Sequence, residues 1–323
     1  MAIEKFMAPQ LLVIGSLNVD TFLEIKRLPH IGETIATTTR TNVRPGGKGA
    51  NQAVAAARYL EDVTNKNVKI IGQVGDDLYN KFFNNYLGAN VDKSLIRTAK
   101  GISTGQAYIL KTEDGDNSII IVGGANMEGW EMTNDIKLSI ESSSGILLQC
   151  EIPDEINLAV AMHAKSRNIP VFMDVGGQER NLDHILPYIS HICPNSTELS
   201  RMTGGMPTTT IKDATKAAEI LRSKGAENIL VTLGTQGSIL LEKDGKVHYQ
   251  PSYSVEKVLD STGAGDCFRA VFAASLVTQK SSVQESLKAA AAAAALCVQS
   301  SGAMESMPTG RSVLELLNSS SPM

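Results

Sequence analysis

Asp266 is the residue in this chain best placed to do chemistry. It closes the stretch Asp260-Ser-Thr-Gly-Ala-Gly-Asp266, which comes after an extended segment, Val247 to Val258, and opens an apolar run from Cys267 to Leu276. Strand, glycine-rich turn and helix in that order bring backbone N–H groups together on an anion. Gly263 and Gly265 let the backbone approach a ligand with no Cβ in the way. An acid at the helix start is held ionised by the helix dipole. An ionised base beside such a nest suits phosphoryl transfer: the nest takes charge on the transferring group and the carboxylate takes a proton from a hydroxyl. The same residues also describe an ordinary helix start with an acidic first turn, so the remainder of the chain has to discriminate.

Other motifs narrow the chemistry. A second glycine-rich turn, Pro45-Gly-Gly-Lys-Gly-Ala-Asn-Gln52, leads into a helical stretch from Ala53 to Leu60. It is not a Walker A loop, because Gly49 rather than Ser or Thr comes after Lys48. Taken alone, it fits a flexible turn with a solvated lysine equally well. Gly101-Ile-Ser-Thr-Gly105 matches the nucleophile elbow, which needs a helix after the serine. The chain beyond it is β-prone from Gln106 to Thr112, turns at Glu113–Asp116 and continues from Ser118 to Val122, so a β-hairpin is expected and a serine hydrolase is not. A dinucleotide fingerprint fails as well, since Phe268 stands where the third glycine would be.

Composition sets the frame. The chain has 323 residues, 42% of them hydrophobic and 20% charged, with a net charge of −4. A slightly acidic chain without a basic block argues against nucleic acid as a partner. The apolar run Ala289 to Val298 is far too short to span a membrane. Met1 to Gln10 carries Glu4 and Lys5 and has no apolar h-region, so no secretory signal is expected. The four cysteines, Cys150, Cys193, Cys267 and Cys297, are widely spaced in apolar segments, and the histidines lack metal-ligand spacing. Reduced, buried thiols in a cytoplasmic protein are expected, with an organelle left open.

The elements that must position these groups alternate between strand and helix. Leu11–Ile14, Val68–Val74, Gly145–Gln149, Val171–Asp174, Ile189–Cys193 and Ile229–Thr232 read as strands. Helices are expected over Asp76–Leu87, from Pro153 to about Arg167, after Pro194, over Ile211–Lys224, from Gly265 to about Thr278, from Val283 to about Gln299, and over Arg311–Leu317. Thr34 to Val43 reads as an exposed or partner-covered sheet. The alternation implies one doubly wound, mostly parallel α/β sheet flanked by helices, a single domain over 1–323. The β-rich pieces near 18–44 and 103–123 interrupt the alternation and are expected to join into a small separate sheet. Asp20, Glu151, Asn195, Gly234 and Asp266 all fall just past strands, as does Asn18, and together they suggest one cleft.

These residues together resemble the PfkB family of carbohydrate kinases, its ribokinase branch in particular, from Val13 to about Pro308. Val13-Ile-Gly-Ser-Leu-Asn-Val-Asp20 and Pro45–Ala55 look like the N-terminal signature, and Asp260–Asp266 looks like the C-terminal one. Pro194-Asn195-Ser-Thr-Glu198 resembles the motif that organises magnesium and phosphates. Thr232-Leu-Gly234-Thr-Gln-Gly237 resembles the nucleotide-contacting turn. The resemblance implies a ribokinase-like fold with a lid sheet hinged near Gly46-Gly47, and ATP-dependent phosphorylation of D-ribose at its 5-hydroxyl. It implies Asp266 as general base, with Gly263, Ala264 and Gly265 as the anion hole. Asn18, Asp20, Gly46, Gly47, Lys48, Asn51 and Glu151 would hold the sugar, and Asn195, Glu198, Thr232, Gly234, Gly237 and Gly265 the nucleotide. Mg²⁺ and a monovalent cation, K⁺, are implied, the latter near Asp260, Thr262, Gly302 and Ser306, as is a homodimer built through the lid sheet.

The pattern departs from the family at Asp174-Val-Gly-Gly177, at Arg269-Ala270 and at Asn80. The first of these is expected to alter the floor near the phosphates. Competing readings keep the scaffold and change the acceptor to 2-deoxyribose, fructose or adenosine, or make the chain a non-catalytic sugar or nucleotide sensor. The intact Gly263–Asp266 turn speaks against the sensor.

Overall fold

Leu11, Val13, Leu147 and Phe172 pack into one buried apolar cluster, and Leu12, Ile14, Ile146, Leu148 and Met173 into another. That alternation is the period-2 signature of a sheet covered on both faces. The structure, a computed structural model, describes residues 10–61, 68–114, 116–177 and 180–319. The segment read for a leader, up to residue 9, and Gly115 of the hairpin turn lie outside them.

The strands are β1 (Gln10–Ile14), β2 (Asn18–Ile25), β3 (Asn42–Gly46), β4 (Val68–Gly75), β5 (Val91–Ala99), β6 (Gly105–Thr112), β7 (Asn117–Val122), β8 (Ser143–Cys150), β9 (Val171–Gly177), β10 (His191–Cys193), β11 (Asn228–Thr232), β12 (Ser238–Leu241) and β13 (Val247–Gln250). Nine form one sheet in the order β13-β12-β11-β10-β9-β8-β1-β4-β5. All its pairs are parallel except β11/β12 and β12/β13. Helices Lys48–Tyr59, Ala264–Ala273 and Val283–Cys297 cover one face, and Asp154–Ser166 and Ile211–Ser223 the other. The alanines of Val283–Cys297 are mostly buried and let that helix lie close to Ala264–Ala273. Each fully buried Leu, Ile or Val contributes roughly 1.5–3 kcal/mol, so these two clusters are the main source of stability.

The second sheet runs β3-β2-β6-β7. It confirms a small sheet built from the two β-rich pieces, with a parallel β2/β6 pair at its centre. Its first strand departs from expectation. Residues 34–41 are irregular and exposed, and pairing starts only at Asn42. The threonine-rich segment has β propensity but offers only Ile35 and Ala36 to bury, and propensity alone does not hold a strand.

Three further boundaries differ. Of Asp76–Leu87 only Phe83–Tyr86 is helical. Asp76 and Asp77 accept instead from the backbone N–H groups of Gly101 (2.9 Å) and Thr104 (2.7 Å), tying the end of β4 to the loop between β5 and β6. Strand β5 was not anticipated, because its half-buried residues alternate poorly. The extended segment before Asp260 ends at Gln250, so an irregular loop, not a strand, delivers the chain to the central turn.

Candidate active site

Helix Ala264–Ala273 begins at Gly263, whose φ of 79° is left-handed. A side chain there would be strained, and its Cβ would press on Ala303 at 3.1 Å. The first-turn N–H groups have no helical carbonyl of their own, which leaves those of Gly265 and Asp266 for an anion. Ala264 differs from expectation: its N–H already donates to Ser261 O at 3.2 Å. That long turn bond helps set the loop.

Asp266 is only 5% exposed. Its Oδ2 accepts from Asn51 Nδ2 at 2.9 Å and its Oδ1 from Gln52 Nε2 at 3.1 Å, with Lys48 Nζ at 3.9 Å. All three donors lie on helix Lys48–Tyr59, so the second glycine-rich turn exists to point that helix at the first. Gly49 allows this: a Cβ there would sit 2.6 Å from Gly15 C and Ser16 N, both backbone atoms. Glu151, at the end of β8, caps the same helix, its Oε2 accepting from Lys48 N (3.0 Å) and Ser16 Oγ (2.5 Å). Burial raises the pKa of Glu151, and Lys48 and Ser16 pull it back.

Between the two sheets lies a cleft of about 590 Å³, a size suited to a small ligand. Asn18, Asp20, Gly47, Lys48, Asn51, Glu151, Gly263 and Asp266 all line it. Gly46 stands behind them, against the Asp20 carboxylate, where a Cβ would come within 2.0 Å of Oδ2. Ile119 and Ile121 of β7 form part of its roof. Two buried acceptors there have no partner, Asp20 Oδ1 and Asn51 Oδ1. Burial, then the nearby Glu151, Asp266 and Glu305 charges, raise the Asp20 pKa to about 7. Asp20 is the third residue of β2 rather than a group past a sheet end, so it reaches the cleft from the lid side.

Asn195, Glu198, Thr232, Gly234 and Gly237 come together at the ends of β10 and β11. Asn195 caps helix Ser196–Met202: its side chain accepts from Glu198 N (2.8 Å), and Glu198 Oε2 accepts from Asn195 N (2.8 Å). Asn195 and Thr232 are bridged side by side. Leu233 N donates to Gly237 O at 2.8 Å, closing the Gly234–Gly237 turn beside them. The cation candidates also converge. Asp260 Oδ1 accepts from Thr262 N and Oδ2 from Gly302 N, each at 2.9 Å, drawing the two loops together. The Ser306 hydroxyl donates to Ala303 O (2.9 Å) and lies 3.1 Å from Cys297 Sγ, which fixes it within that loop.

Several residues escaped sequence reasoning. Gln52 bridges Asp266 and Asp174, at 3.1 and 2.8 Å, and its own Oε1 accepts from Gln149 Nε2 at 2.8 Å. Asn126 clamps the β1–β2 corner, accepting from Leu17 N and donating to Asn18 Oδ1 (2.7 Å). Gln52 sits inside the second signature and Asn126 ends a glycine-rich spot, so position in a motif was the available signal. The departures Asp174 and Arg269 turn out to be each other's partners, at 3.1 Å. Together they form a buried ion pair, from which Arg269 also reaches Glu198 Oε2 at 3.4 Å.

The chain is similar to known proteins along nearly its whole length. Residues 8–310 match the model of the pfkB family carbohydrate kinases. Ribokinase of Arabidopsis thaliana is 43% identical over 316 residues, 96% of this chain and 81% of that protein. The solved structure described as Arabidopsis thaliana ribokinase complexed with ribose and ATP superposes with a TM-score of 0.91 at 42% identity, covering 97% of this chain and 100% of that one. Deoxyribokinase of Salmonella typhi is 33% identical over 307 residues, 92% of this chain and 95% of its own length. The fold is ribokinase-like, and the chain belongs to the PfkB family of carbohydrate kinases.

Proposed function

We propose that the chain transfers the γ-phosphoryl group of ATP to the 5-hydroxyl of D-ribose, giving D-ribose 5-phosphate and ADP. The observation that carries the sugar side is the pair of orphaned acceptors, Asp20 Oδ1 and Asn51 Oδ1, in the cleft that also holds Asp266. Buried acceptors without partners are costly. Two of them beside a carboxylate base call for a ligand with several hydroxyl donors, and Asn18, Lys48 and Glu151 add further polar groups around it. Asp266 takes the proton of the attacking hydroxyl as its oxygen bonds to the γ-phosphorus and the bond to the β-phosphate oxygen breaks. The Gly263–Gly265 turn receives charge on the transferring group. Asn195, Glu198, Thr232, Gly234 and Gly237 hold the nucleotide.

Among the described residues no group of three or more His, Cys, Asp or Glu is gathered for a metal ion. Glu198 and Asn195 nonetheless fit Mg²⁺ held jointly with phosphates and water, since the bonds from Asn195 and Arg269 both fall on Glu198 Oε2 rather than Oε1. The ion would neutralise phosphate charge. Hard oxygens from Asp260 and the 302–306 loop suit K⁺, which would steady the Gly263–Asp266 turn. One α/β domain carries the chemistry, and the small sheet acts as a lid, hinged near Gly46-Gly47, that keeps water from competing as acceptor. Four buried free thiols support work in a reducing compartment, the cytoplasm; among the described residues no helix is long and apolar enough to cross a membrane.

Coupled ADP release across a panel of sugars and nucleosides tests the assignment. D-ribose is expected to be fastest, 2-deoxyribose slower, and rates higher in K⁺ than in tetramethylammonium. Faster turnover of fructose or adenosine would sink the acceptor assignment, and equal rates in the two salts the cation site.

Ile120 and Val122 of β7 are exposed by 56% and 40% on the face away from the cleft-lining Ile119 and Ile121. An apolar edge strand of this kind is a pairing surface, and supports a homodimer through the lid. Light scattering at micromolar concentration is expected to give twice the chain mass; a monomer would refute it.

A further inference from the structure

Arg269 is a guanidinium buried to 5% exposure, one turn beyond Gly265, whose Cβ position lies 2.7 Å from Arg269 Nη1. Every part of its fork is engaged. Nε donates to Cys193 O at 2.9 Å, Nη1 meets Asp174 Oδ2 at 3.1 Å, and Nη2 meets Glu198 Oε2 at 3.4 Å. Asp174, 2% exposed, accepts from Gln52 Nε2 at 2.8 Å, and Gln52 in turn donates to Asp266. Lys48 Nζ stands 3.9 Å from both Asp174 and Asp266. An unbroken polar chain thus runs from Glu198 through Arg269, Asp174 and Gln52 to Asp266.

Building on the reading of this site as an ATP-dependent kinase, we propose that Arg269 is a positioning residue that fixes the nucleotide-side carboxylate Glu198 and couples its placement to that of the base Asp266. Three features support it. A planar fork can hold two carboxylates and a carbonyl in one geometry, which a lysine cannot. Among the described residues Glu198 Oε2 has only the Asn195 backbone N–H besides Arg269, so the guanidinium decides which way the carboxylate leans. Finally, the positive charge lies under the turn that would receive phosphates, where Asp174 and Glu198 alone would repel them.

A plain structural role is the competing account: Arg269 would only neutralise the buried Asp174. Two variants separate the accounts. Arg269→Met alone leaves a buried carboxylate without its partner and is expected to melt well below wild type. Arg269→Met with Asp174→Asn removes both charges, keeps the local net charge of the wild type, and is expected to melt within a few degrees of it. Calorimetric titration with Mg·ADP and, separately, with D-ribose then reads the site. In the double variant Mg·ADP should bind at least about fivefold more weakly and turnover should fall at least about tenfold. D-ribose affinity should stay within about twofold. Arg269→Lys, which keeps charge but loses the fork, should fall between wild type and the double variant in Mg·ADP affinity. A double variant with Mg·ADP affinity and turnover within twofold of wild type overturns the proposal, as does an equal loss of both ligands. Failure of D-ribose as the acceptor would appear in the wild type and would leave the Mg·ADP comparison standing.

Discussion

Asp266→Asn is expected to lower turnover by about 10²–10⁴-fold, the range for a lost general base. The substitution keeps size and shape but removes the proton acceptor. Asn51 Nδ2 and Gln52 Nε2 each donate to one Asp266 oxygen. An amide has a single acceptor oxygen, so one buried donor loses that partner, at roughly 1–3 kcal/mol. The melting temperature should therefore drop by a few degrees at most, and D-ribose binding should weaken far less than turnover. An acidic first-turn residue with no chemical role contributes only ~0.3–1 kcal/mol to the helix, and its loss would leave turnover almost unchanged. Turnover and melting temperature measured on one preparation separate the two. A variant keeping more than about a tenth of wild-type turnover would end the general-base assignment.

D-ribose affinity is expected to rise as pH increases from 6 to 8, because of Asp20. Burial and neighbouring carboxylates raise its pKa to about 7. Sugar hydroxyls donate to a carboxylate and favour its ionised form, so binding releases a proton near neutrality and tightens until Asp20 is fully ionised. The stability sign is the reverse. An acid whose folded pKa lies above its unfolded value makes the folded state lose stability as pH rises from about 4 to about 7, with no further loss above that. Asp20→Asn should remove both dependences. Charge-assisted bonds are worth roughly 1.5–3 kcal/mol, so the variant should bind D-ribose about 10- to 100-fold more weakly at pH 8 while its ligand-free form melts higher than wild type at that pH. Sugar affinity flat between pH 6 and 8 in the wild type would rule out Asp20 as the titrating sugar ligand.

The layered α/β architecture was readable in the chain because its strands are buried on both faces. Continuous apolar runs such as Leu11–Ile14 and Ile229–Val231 cannot be satisfied any other way. The two glycine-rich turns were readable for a local reason: Gly49 and Gly263 occupy backbone positions that a side chain would block. The placement of Asp266 at a helix start comes from the same short-range chemistry. These are properties of a few consecutive residues.

What lay beyond the sequence was set by partners distant along the chain. The stretch Asp76–Leu87 has the composition of a helix, but its two acids found the loop between β5 and β6 instead. The β-prone 34–41 segment meets β2 only where Thr38 donates to Glu24 O, and forms no ladder. Asp174 and Arg269 read as unexplained departures because neither has a local reason to be charged. Their sense is mutual: only folding brings the ends of β9 and β10 against helix Ala264–Ala273, at 3.1 Å between Nη1 and Oδ2. The raised pKa of Asp20 is likewise tertiary, since burial at the cleft and the approach of Glu151, Asp266 and Glu305 create it. Sequence by itself determined which residues could do chemistry and on which scaffold, because backbone sterics and apolar periodicity act over a few residues. Tertiary structure alone decided which charges face one another, because low-dielectric electrostatics acts through space and has no signature along the chain.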